Sequence, residues 1–392
     1  MIMKCEQLFS ESYRRDPVEI AFCPYRVCPI GAHVDHQHGL INGFAIDKGI
    51  HFAYGPKKNG VVELMSLQFD CRAQWHIHQI DEKPTGDWAD YLRGATWALS
   101  KHYDLHTGIC GVFEGSLPIG GLSSSAAVII VFLSALAKLN GIKLEKQETI
   151  RLALEAEKDY VGVNVGTLDQ SCEILSKKNQ LLYLDTMNGS YALIPQHAKM
   201  KPYKIAVLFS GIQRTLVGSK FNMRVDEAKA AAYALKAYAG MEYGKFLDTR
   251  LREIPENVFE MYKDRLPENW KKRAEHYFSE IDRVKRGVDA WRKGDIETYG
   301  KLSFESGHSS IYSWETGSEE LKTLYHIMKD TDGIYGGRFS GAGFKGCCMA
   351  LIDPAYAEYI ENKITREYLK AFPKLEGKYS FHLCESADGI EL

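Results

Sequence analysis

The sequence has neither an excess of charge of one sign nor a disulfide framework. Its 49 Lys and Arg residues nearly balance its 51 Asp and Glu residues, so no global field favours nucleic acid or an acidic membrane surface as a partner. The nine cysteines contain no Cys-x-x-Cys pair; Cys23 and Cys28 are separated by four residues, and Cys347 and Cys348 are adjacent. We expect the adjacent two to be buried structural thiols in a reducing cytoplasm.

Long hydrophobic runs and repeats are also absent. The first residues, MIMKCEQLFSESYRRDP, lack the apolar core of a signal peptide. The longest apolar run, AAVIIVFLSALA at 126–137, is too short to span a bilayer. No internal repeat or low-complexity segment interrupts the chain. These absences predict a cytoplasmic protein without a membrane partner.

The first half of the chain mixes β-rich runs with amphipathic helical patterns. The runs IAFCPYRVC, VVELMSLQF and GICGVFEG predict strands. Helical periodicity is clearest over 123–140 and 145–160, and Gly141 is a suitable C-terminal cap for the first of these helices. The length of 392 residues and the 45% hydrophobic content predict a sizeable core in two or three domains.

The second half opens with the strand-like KIAVLFSG at 204–211 and continues with amphipathic helices over 222–241 and 270–292. Its end alternates again, with a strand at CCMALID, a helix at AYAEYIENKITREYLKAF and a strand at YSFHLCES. We therefore predict an α+β protein with domains at 1–200 and 201–392.

One glycine-rich stretch, LPIGGLSSSAA at 117–127, has the features of an anion site. Gly120 and Gly121 would form a turn, and the serines lead directly into a helix. Glycines let the backbone approach a phosphate, helical N–H groups bind it, and a serine hydroxyl can coordinate magnesium. The alternative is that the serines merely cap a buried helix. The stretch is not a Walker A loop, since no Gly-Lys-Ser/Thr follows.

Two further stretches are ambiguous when taken alone. SGAGFKG at 340–346 has the Gly-x-Gly-x-x-Gly spacing, but a strand follows where a Rossmann fold needs a helix. EKDYVGVNVGTLDQS at 157–171 surrounds the end of one helix and the start of another. Taken in isolation, Asp169 would be a helix cap and Glu157 a solvated helix residue.

The stretch PYRVCPIGAHVDHQHG at 24–39 gathers five side chains that are common in functional sites: Arg26, His33, Asp35, His36 and His38. Its prolines and glycines exclude a plain helix. The pattern His-x-Asp-His-x-His could supply metal ligands. The alternative is a pocket for another ligand, with His36 and His38 as flanking or surface residues.

Together, PYRVCPIGAHVDH, LPIGGLSSSAA and SGAGFKGCC resemble the three motifs of the GHMP kinase superfamily, in the same order and over essentially the whole chain. The resemblance implies an α+β, two-domain fold: an N-terminal domain like that of ribosomal protein S5, a ferredoxin-like C-terminal domain, and an active site in the cleft between them. The first motif is similar to the galactokinase signature. Four positions match that signature: Arg26, Gly31, His33 and Asp35. At three others, an Asn, a Glu and a Tyr of the signature are replaced here: Cys28, Ala32 and His36.

This resemblance implies phosphoryl transfer from ATP to the anomeric hydroxyl of a small sugar or sugar acid. Asp169 would take the proton or stabilise the alkoxide, with Arg26 beside it. His33, Asp35 and Gly166 would belong to the sugar site. Ser125 and Glu157 match magnesium ligands. The residues that match the ATP site are Trp88, Gly120, Gly121, Leu122, Ser123, Ser124, Ser125, Gly341 and Gly343.

Ala32 bears on which sugar is bound, because the galactokinase Glu lies close to the C6 hydroxyl. A C6 carboxylate would meet that Glu at roughly 4 Å and cost about 1–4 kcal/mol. The motif with Ala32, together with KRAEHYFSE at 272–280 and GVDAW, is more similar to galacturonokinases than to galactokinases. Lys345 would attract a C6 carboxylate or ATP, unless it is simply a solvated loop residue, and Phe221 replaces the Tyr usual in both groups. Galactokinase and a non-catalytic sugar sensor are the alternatives.

Overall fold

The computed structural model describes residues 3–118, 120–212 and 221–392. Its strands are β1 Glu19–Val27, β2 Leu40–Lys57, β3 Val61–Ser66, β4 Cys71–His76, β5 Gly108–Gly115, β6 Gln180–Asp185, β7 Tyr191–Pro195, β8 Lys204–Phe209, β9 Ile334–Phe339, β10 Cys347–Ile352, β11 Ser380–Cys384 and β12 Ser386–Ala387. Its α-helices are α1 Lys4–Tyr13, α2 Asp90–Ser100, α3 Ser124–Leu139, α4 Lys146–Glu155, α5 Leu168–Leu175, α6 Phe221–Tyr238, α7 Glu256–Tyr262, α8 Glu268–Lys293, α9 Ile296–Tyr312, α10 Glu319–Lys329 and α11 Ala357–Ala371.

The first sheet is built around the long strand β2. Its order is β4-β3-β5-β2-β6-β7, and β1 and β12 also pair with β2. The pairs are antiparallel except for β3 with β5, which is parallel. Strand β1 changes register against β2 between Pro24 and Arg26. Because such an irregularity redirects the side chains around it, it contributes to placing Arg26 at the site described below.

The second sheet is antiparallel, with the order β11-β8-β10-β9. One face packs against α10 and α11 around the fully buried Leu324, Ile360 and Tyr368. All its strands lie after residue 200, whereas the first sheet takes its strands from before that point and from β12. Cys347 and Cys348 are buried in β10, as predicted. The division of the chain at residue 200 stays a prediction.

The predicted helices and strands that can be compared are confirmed, and their boundaries differ by a few residues from the predicted ones. The apolar pattern at 123–140 forms α3, which ends at Leu139; Gly141 follows the C-cap residue Asn140 with a backbone φ of 69°. The pattern at 145–160 forms α4 followed by a π-helical turn, Ala156–Tyr160. The patterns at 222–241 and 270–292 form α6 and α8. The α+β fold is therefore confirmed.

Helix α8 connects the two halves of the molecule. It packs against α6 and α9 and also contacts β2 of the first sheet. Its fully buried Trp291 donates a hydrogen bond from Nε1 to the carbonyl of Ile194, at 3.1 Å. Buried side chains of both halves thus form one continuous core. Within the described ranges, we find no helix with the length and apolar character that a membrane crossing requires.

Candidate active site

The centre of the site is an ion pair between β1 and α5. Arg26 reaches the same carboxylate oxygen of Asp169 with two nitrogens, Nε at 2.8 Å and Nη2 at 2.7 Å. Its Nη1 donates to the carbonyl of Gly121 and to the hydroxyl of Ser340. Burial disfavours the charge on Arg26, but Asp169 outweighs that effect and raises the pKa of the guanidinium. Arg26 is therefore fixed in position and in charge.

Asp169 is not the helix cap that its sequence position alone suggested. It lies in the first turn of α5, whose N-cap position is occupied by Thr167. The carboxylate instead pairs with Arg26 and remains partly exposed, with 21% of its side chain accessible. Since only one of its oxygens is engaged by Arg26, the carboxylate retains a surface that a substrate can reach.

A second carboxylate, Asp35, borders the same pocket. The backbone N–H of Leu168 donates to its Oδ2 at 3.2 Å. Burial, and next the charge of Asp169, raise its pKa to about 6. Gly166 packs directly against it, and a Cβ at that position would lie 2.3 Å from Oδ2. Only glycine permits this approach, so Gly166 is part of the structure that holds Asp35 in place.

The two glycine runs lie against each other beside Arg26. A Cβ on Gly121 would lie 2.9 Å from the backbone nitrogen of Cys347, and one on Gly341 would lie 3.1 Å from the Cα of Gly121. The first run leads into α3, whose first-turn N–H groups supply positive potential. Ser123 precedes the helix with a φ of 61° and makes no side-chain cap, contrary to the capping alternative. Its buried hydroxyl has no hydrogen-bond partner among the described residues.

Glu157 is buried, contrary to its reading as a solvated helix residue. It occupies the π-helical turn after α4, with 1% of its surface exposed. Its two carboxylate oxygens accept hydrogen bonds from Ser125 Oγ at 3.0 Å and Gln170 Nε2 at 2.9 Å. Burial, and next the charge of Asp169, raise the pKa of Glu157 to about 8. An acid held this way gains from a cation placed between it and Ser125.

Almost every residue assigned from the sequence to catalysis or sugar binding lines one pocket. That pocket includes Arg26, Ala32, His33, Asp35, Gly166, Asp169 and Phe221. Lys345 is half-buried in the loop between β9 and β10 but does not line it. Trp88 precedes α2, half-buried, with its ring centre 6.1 Å from that of Phe69. The structure therefore unites the predicted sugar-site residues apart from Lys345.

The histidines of the first motif are buried among aromatic rings. The His33 ring stacks on Trp314, with ring centres 5.3 Å apart and planes 10° apart. His36 lies between Trp314 and Phe221. Burial lowers the pKa of both imidazoles, that of His36 to about 3, so both are neutral. Among the described residues, no three His, Cys, Asp or Glu side chains form a group that could hold a metal ion.

Sequence reasoning missed several residues that complete the site. Ser340 contacts Arg26, and Gln170 contacts Glu157. Ser340 precedes Gly341 and Gln170 follows Asp169, two residues predicted from the sequence. This adjacency was the only sequence signal for them. His276 and Glu280 of α8 contact the backbone of the first motif. The stretch KRAEHYFSE drew attention to them without indicating what they contact.

Comparison with known families identifies the protein family to which this chain belongs. The galactokinase galactose-binding signature matches residues 7–56, the GHMP kinases N terminal domain matches 90–177, and the GHMP kinases C terminal domain matches 288–371. The matched regions contain the first motif, the α3 loop and both acids, Glu157 and Asp169. The chain belongs to the GHMP kinase family.

Individual relatives narrow the class to sugar kinases. A galacturonokinase of Arabidopsis thaliana is 37% identical, covering 96% of this chain and 93% of its own length. A galactokinase of Roseiflexus sp. is 30% identical, covering 97% and 95%. The crystal structure of Lactococcus lactis galactokinase complexed with galactose superposes with a TM-score of 0.88 at 25% identity, over 98% of each chain. The protein is a sugar kinase of the GHMP family.

Proposed function

We propose that the protein is an ATP- and magnesium-dependent sugar 1-kinase whose substrate is D-galacturonate. The observation that carries the kinase assignment is the ion pair between buried Arg26 and partly exposed Asp169, set where the glycine loops meet the pocket that contains Asp35. The identity of the sugar is supported by Ala32 and by the galacturonokinase relative at 37% identity.

In the proposed reaction, the anomeric oxygen forms a bond to the γ-phosphorus of ATP. The bond from that phosphorus to the β–γ bridging oxygen breaks, which yields ADP and the sugar 1-phosphate. Asp169 accepts the hydroxyl proton at its carboxylate, whose surface is partly exposed. Arg26 keeps a positive charge beside the oxygen on which negative charge develops.

The residues around α3 are suited to the phosphates of ATP. The N-terminus of α3 and the Ser123 hydroxyl, which has no partner within the part of the chain that the structure describes, supply donors. Ser125 and Glu157 offer two adjacent oxygens, which suits Mg²⁺, an ion commonly held by one or two carboxylates together with substrate phosphates. When bound, the metal ion would neutralise charge on the transferring phosphoryl group. We assign Trp88, Gly341 and Gly343 to the nucleotide side of the site because they match ATP-site residues of the family.

The sugar assignment depends on charge at position 32. Ala32 is buried and lines the pocket. A glutamate here would repel a C6 carboxylate, whereas alanine leaves room and removes the repulsion. His33, Asp35 and Gly166 would contact hydroxyls that galactose and galacturonate share. Lys345 and Phe221 remain proposed contributors, through charge and through packing against the sugar ring.

The decisive measurement is the ratio of kcat/KM for D-galacturonate to that for D-galactose, with purified protein, ATP and Mg²⁺. We expect the wild type to prefer galacturonate. Ala32→Glu should reduce that preference by about tenfold or more through charge repulsion. Ala32→Gln is the matched control, because it has the same size without the charge.

A wild-type preference for galactose would overturn the sugar assignment. Galactokinase is the second candidate, because a galactokinase relative is 30% identical over nearly the whole chain. Equal loss of galacturonate activity in Ala32→Glu and Ala32→Gln would show that space, and not charge, matters at this position.

A further inference from the structure

The loop that carries Ala32 has an unusual backbone. Gly31 has a φ of 101° and His33 a φ of 62°, so two left-handed residues flank Ala32. Left-handed backbone suits glycine but is disfavoured for a residue with a side chain. Such a conformation persists only where surrounding contacts hold it, and these positions concentrate at functional sites. The contacts that hold His33 therefore bear on function.

Helix α8 supplies those contacts from the other half of the molecule. His276 and Glu280 are four residues apart, so they occupy one face of the helix. The backbone N–H of Gly31 donates to Glu280 Oε1 at 2.6 Å. His276 Nε2 lies 3.0 Å from the carbonyl oxygen of Ala32. One helix face thus holds the backbone on both sides of Ala32.

The protonation of His276 follows from its partners. A carbonyl oxygen only accepts hydrogen bonds, so His276 must carry its proton on Nε2. Its Nδ1 then accepts from the hydroxyl of Ser309, at 2.8 Å. Burial lowers the pKa of His276 to about 4, so one ring nitrogen remains an acceptor at neutral pH. Both ring nitrogens are therefore fully used.

The hydrogen bond acts directly on the strained residue. The carbonyl of Ala32 and the N–H of His33 belong to one peptide unit, so fixing that carbonyl restricts the ψ of Ala32 and the φ of His33. The ring of His33 lines the pocket and stacks on Trp314. A change in the φ of His33 alone would move its ring relative to the Ala32 carbonyl.

We propose that His276 is a positioning residue for sugar binding: by holding the carbonyl of Ala32, it keeps His33 in the left-handed conformation that presents its ring to the pocket. This proposal rests on the proposed function in one respect, namely that the pocket binds the sugar. It does not depend on which sugar is bound. Glu280 anchors the preceding residue and supports the same arrangement.

The test compares two substitutions at one position. His276→Leu removes both hydrogen bonds, whereas His276→Gln retains a donor and an acceptor. We expect His276→Leu to raise the sugar KM about tenfold, as expected for one lost buried hydrogen bond, with the ATP KM within about twofold of wild type. His276→Gln should recover most of the sugar affinity.

Trp291→Phe is the matched control. Trp291 is another fully buried ring on α8 that donates to a backbone carbonyl of the first half, at 3.1 Å, but its acceptor is Ile194 and not the loop. The substitution should leave the sugar KM unchanged. If His276→Leu does not fold, Ser309→Ala provides the second variant, because it removes the partner that orients the ring; it should also raise the sugar KM selectively.

The proposal is overturned if the sugar KM does not change, if the sugar and ATP KM values rise together, or if His276→Gln is no better than His276→Leu. Each variant is assayed with both D-galacturonate and D-galactose. A wild type that uses galactose alone would overturn the sugar assignment while His276 is still judged on galactose. Calorimetric titration of both sugars into wild type, without binding of either, would overturn both proposals.

Discussion

Two buried glutamates in this molecule have opposite protonation behaviour. Glu157 and Glu280 are 1% and 0% exposed, so both lose nearly all contact with water. The pKa of Glu157 is raised to about 8, whereas that of Glu280 is lowered to about 2. Burial alone therefore does not decide the charge of either group. The partners decide it.

The partners of the two groups explain the difference. Burial raises the pKa of Glu280, but the charges of Arg283 and Arg338 and the hydrogen bond from Ser306 outweigh it. The Nε of Arg283 donates to the carboxylate at 2.7 Å, and the N–H of Gly31 donates at 2.6 Å. Glu157 has a hydroxyl and an amide as its hydrogen-bond partners, and its pKa is raised further by Asp169. Glu280, which is paired with arginine side chains, is suited to stabilise the fold. Glu157, whose hydrogen-bond partners described above are uncharged, is suited to bind a cation.

The largest expected effect comes from Asp169, the proposed catalytic carboxylate. Asp169→Asn removes the proposed proton acceptor, so kcat should fall by a factor of about 10²–10⁴. Nucleotide binding should persist, because the α3 loop is untouched. Coupled measurement of ADP release and calorimetric titration of ATP test the two expectations.

Asp159→Asn is the control for that experiment, since Asp159 is an exposed carboxylate in the same π-helical turn as Glu157. Unchanged turnover in a folded Asp169→Asn variant would contradict the kinase mechanism. Absence of turnover in the wild type, with sugar binding retained, would favour the non-catalytic sensor.

The second largest expected effect is on the free energy of unfolding. The same substitution, glutamate to glutamine, is made at both glutamates. Glu280→Gln leaves the buried Arg283 and Arg338 without their negative partner, so the free energy of unfolding should fall by about 3–5 kcal/mol. Glu157→Gln should change it by less than about 1 kcal/mol, because Glu157 is mostly protonated at neutral pH and glutamine preserves its polar contacts. Denaturant titration at pH 7 measures both. Equal losses would refute the contrast between the two sites.

The smallest effect is a pH dependence of sugar binding. The pKa of Asp35 is raised to about 6, so the carboxylate loses its charge below that pH. If the ionised form accepts from the sugar, the sugar KM should rise about tenfold between pH 7 and pH 5. Asp35→Asn should remove this acidic dependence.

The protonation of Asp35 does not destabilise the fold in acid, so it would not raise the sugar KM through unfolding. Because the folded-state pKa of Asp35 lies above its ordinary value of 3.8, the stability due to Asp35 is fully present below about pH 4. It is lost as the pH rises through about 6. Acid thus weakens the proposed contact while this group favours the fold. A sugar KM that is flat from pH 7 to pH 5 would contradict the assignment of Asp35.

Local sequence patterns predicted the elements but not the long-range pairs. Helix α3 and strand β10 follow from periodicity and composition, so both were predictable. Asp169 forms an ion pair with Arg26, which lies far away in the sequence. No local pattern indicates that contact, whereas the family resemblance placed the two residues side by side. Glu157 looked solvated because a π-helical turn shifts the side chains relative to an α-helix. Periodicity does not reveal such a turn.

The short strand β12 also has a consequence for how the chain folds during synthesis. Ser386 and Ala387 pair with Ile46 and Ala45 of β2, and the backbone of Ile390 donates to the carbonyl of Glu173. The sheet that carries Arg26 therefore receives its last strand after the ribosome has translated both halves. Contacts between residues that lie so far apart in the sequence slow folding. A nascent chain with both glycine-rich loops already in place still lacks this final pairing.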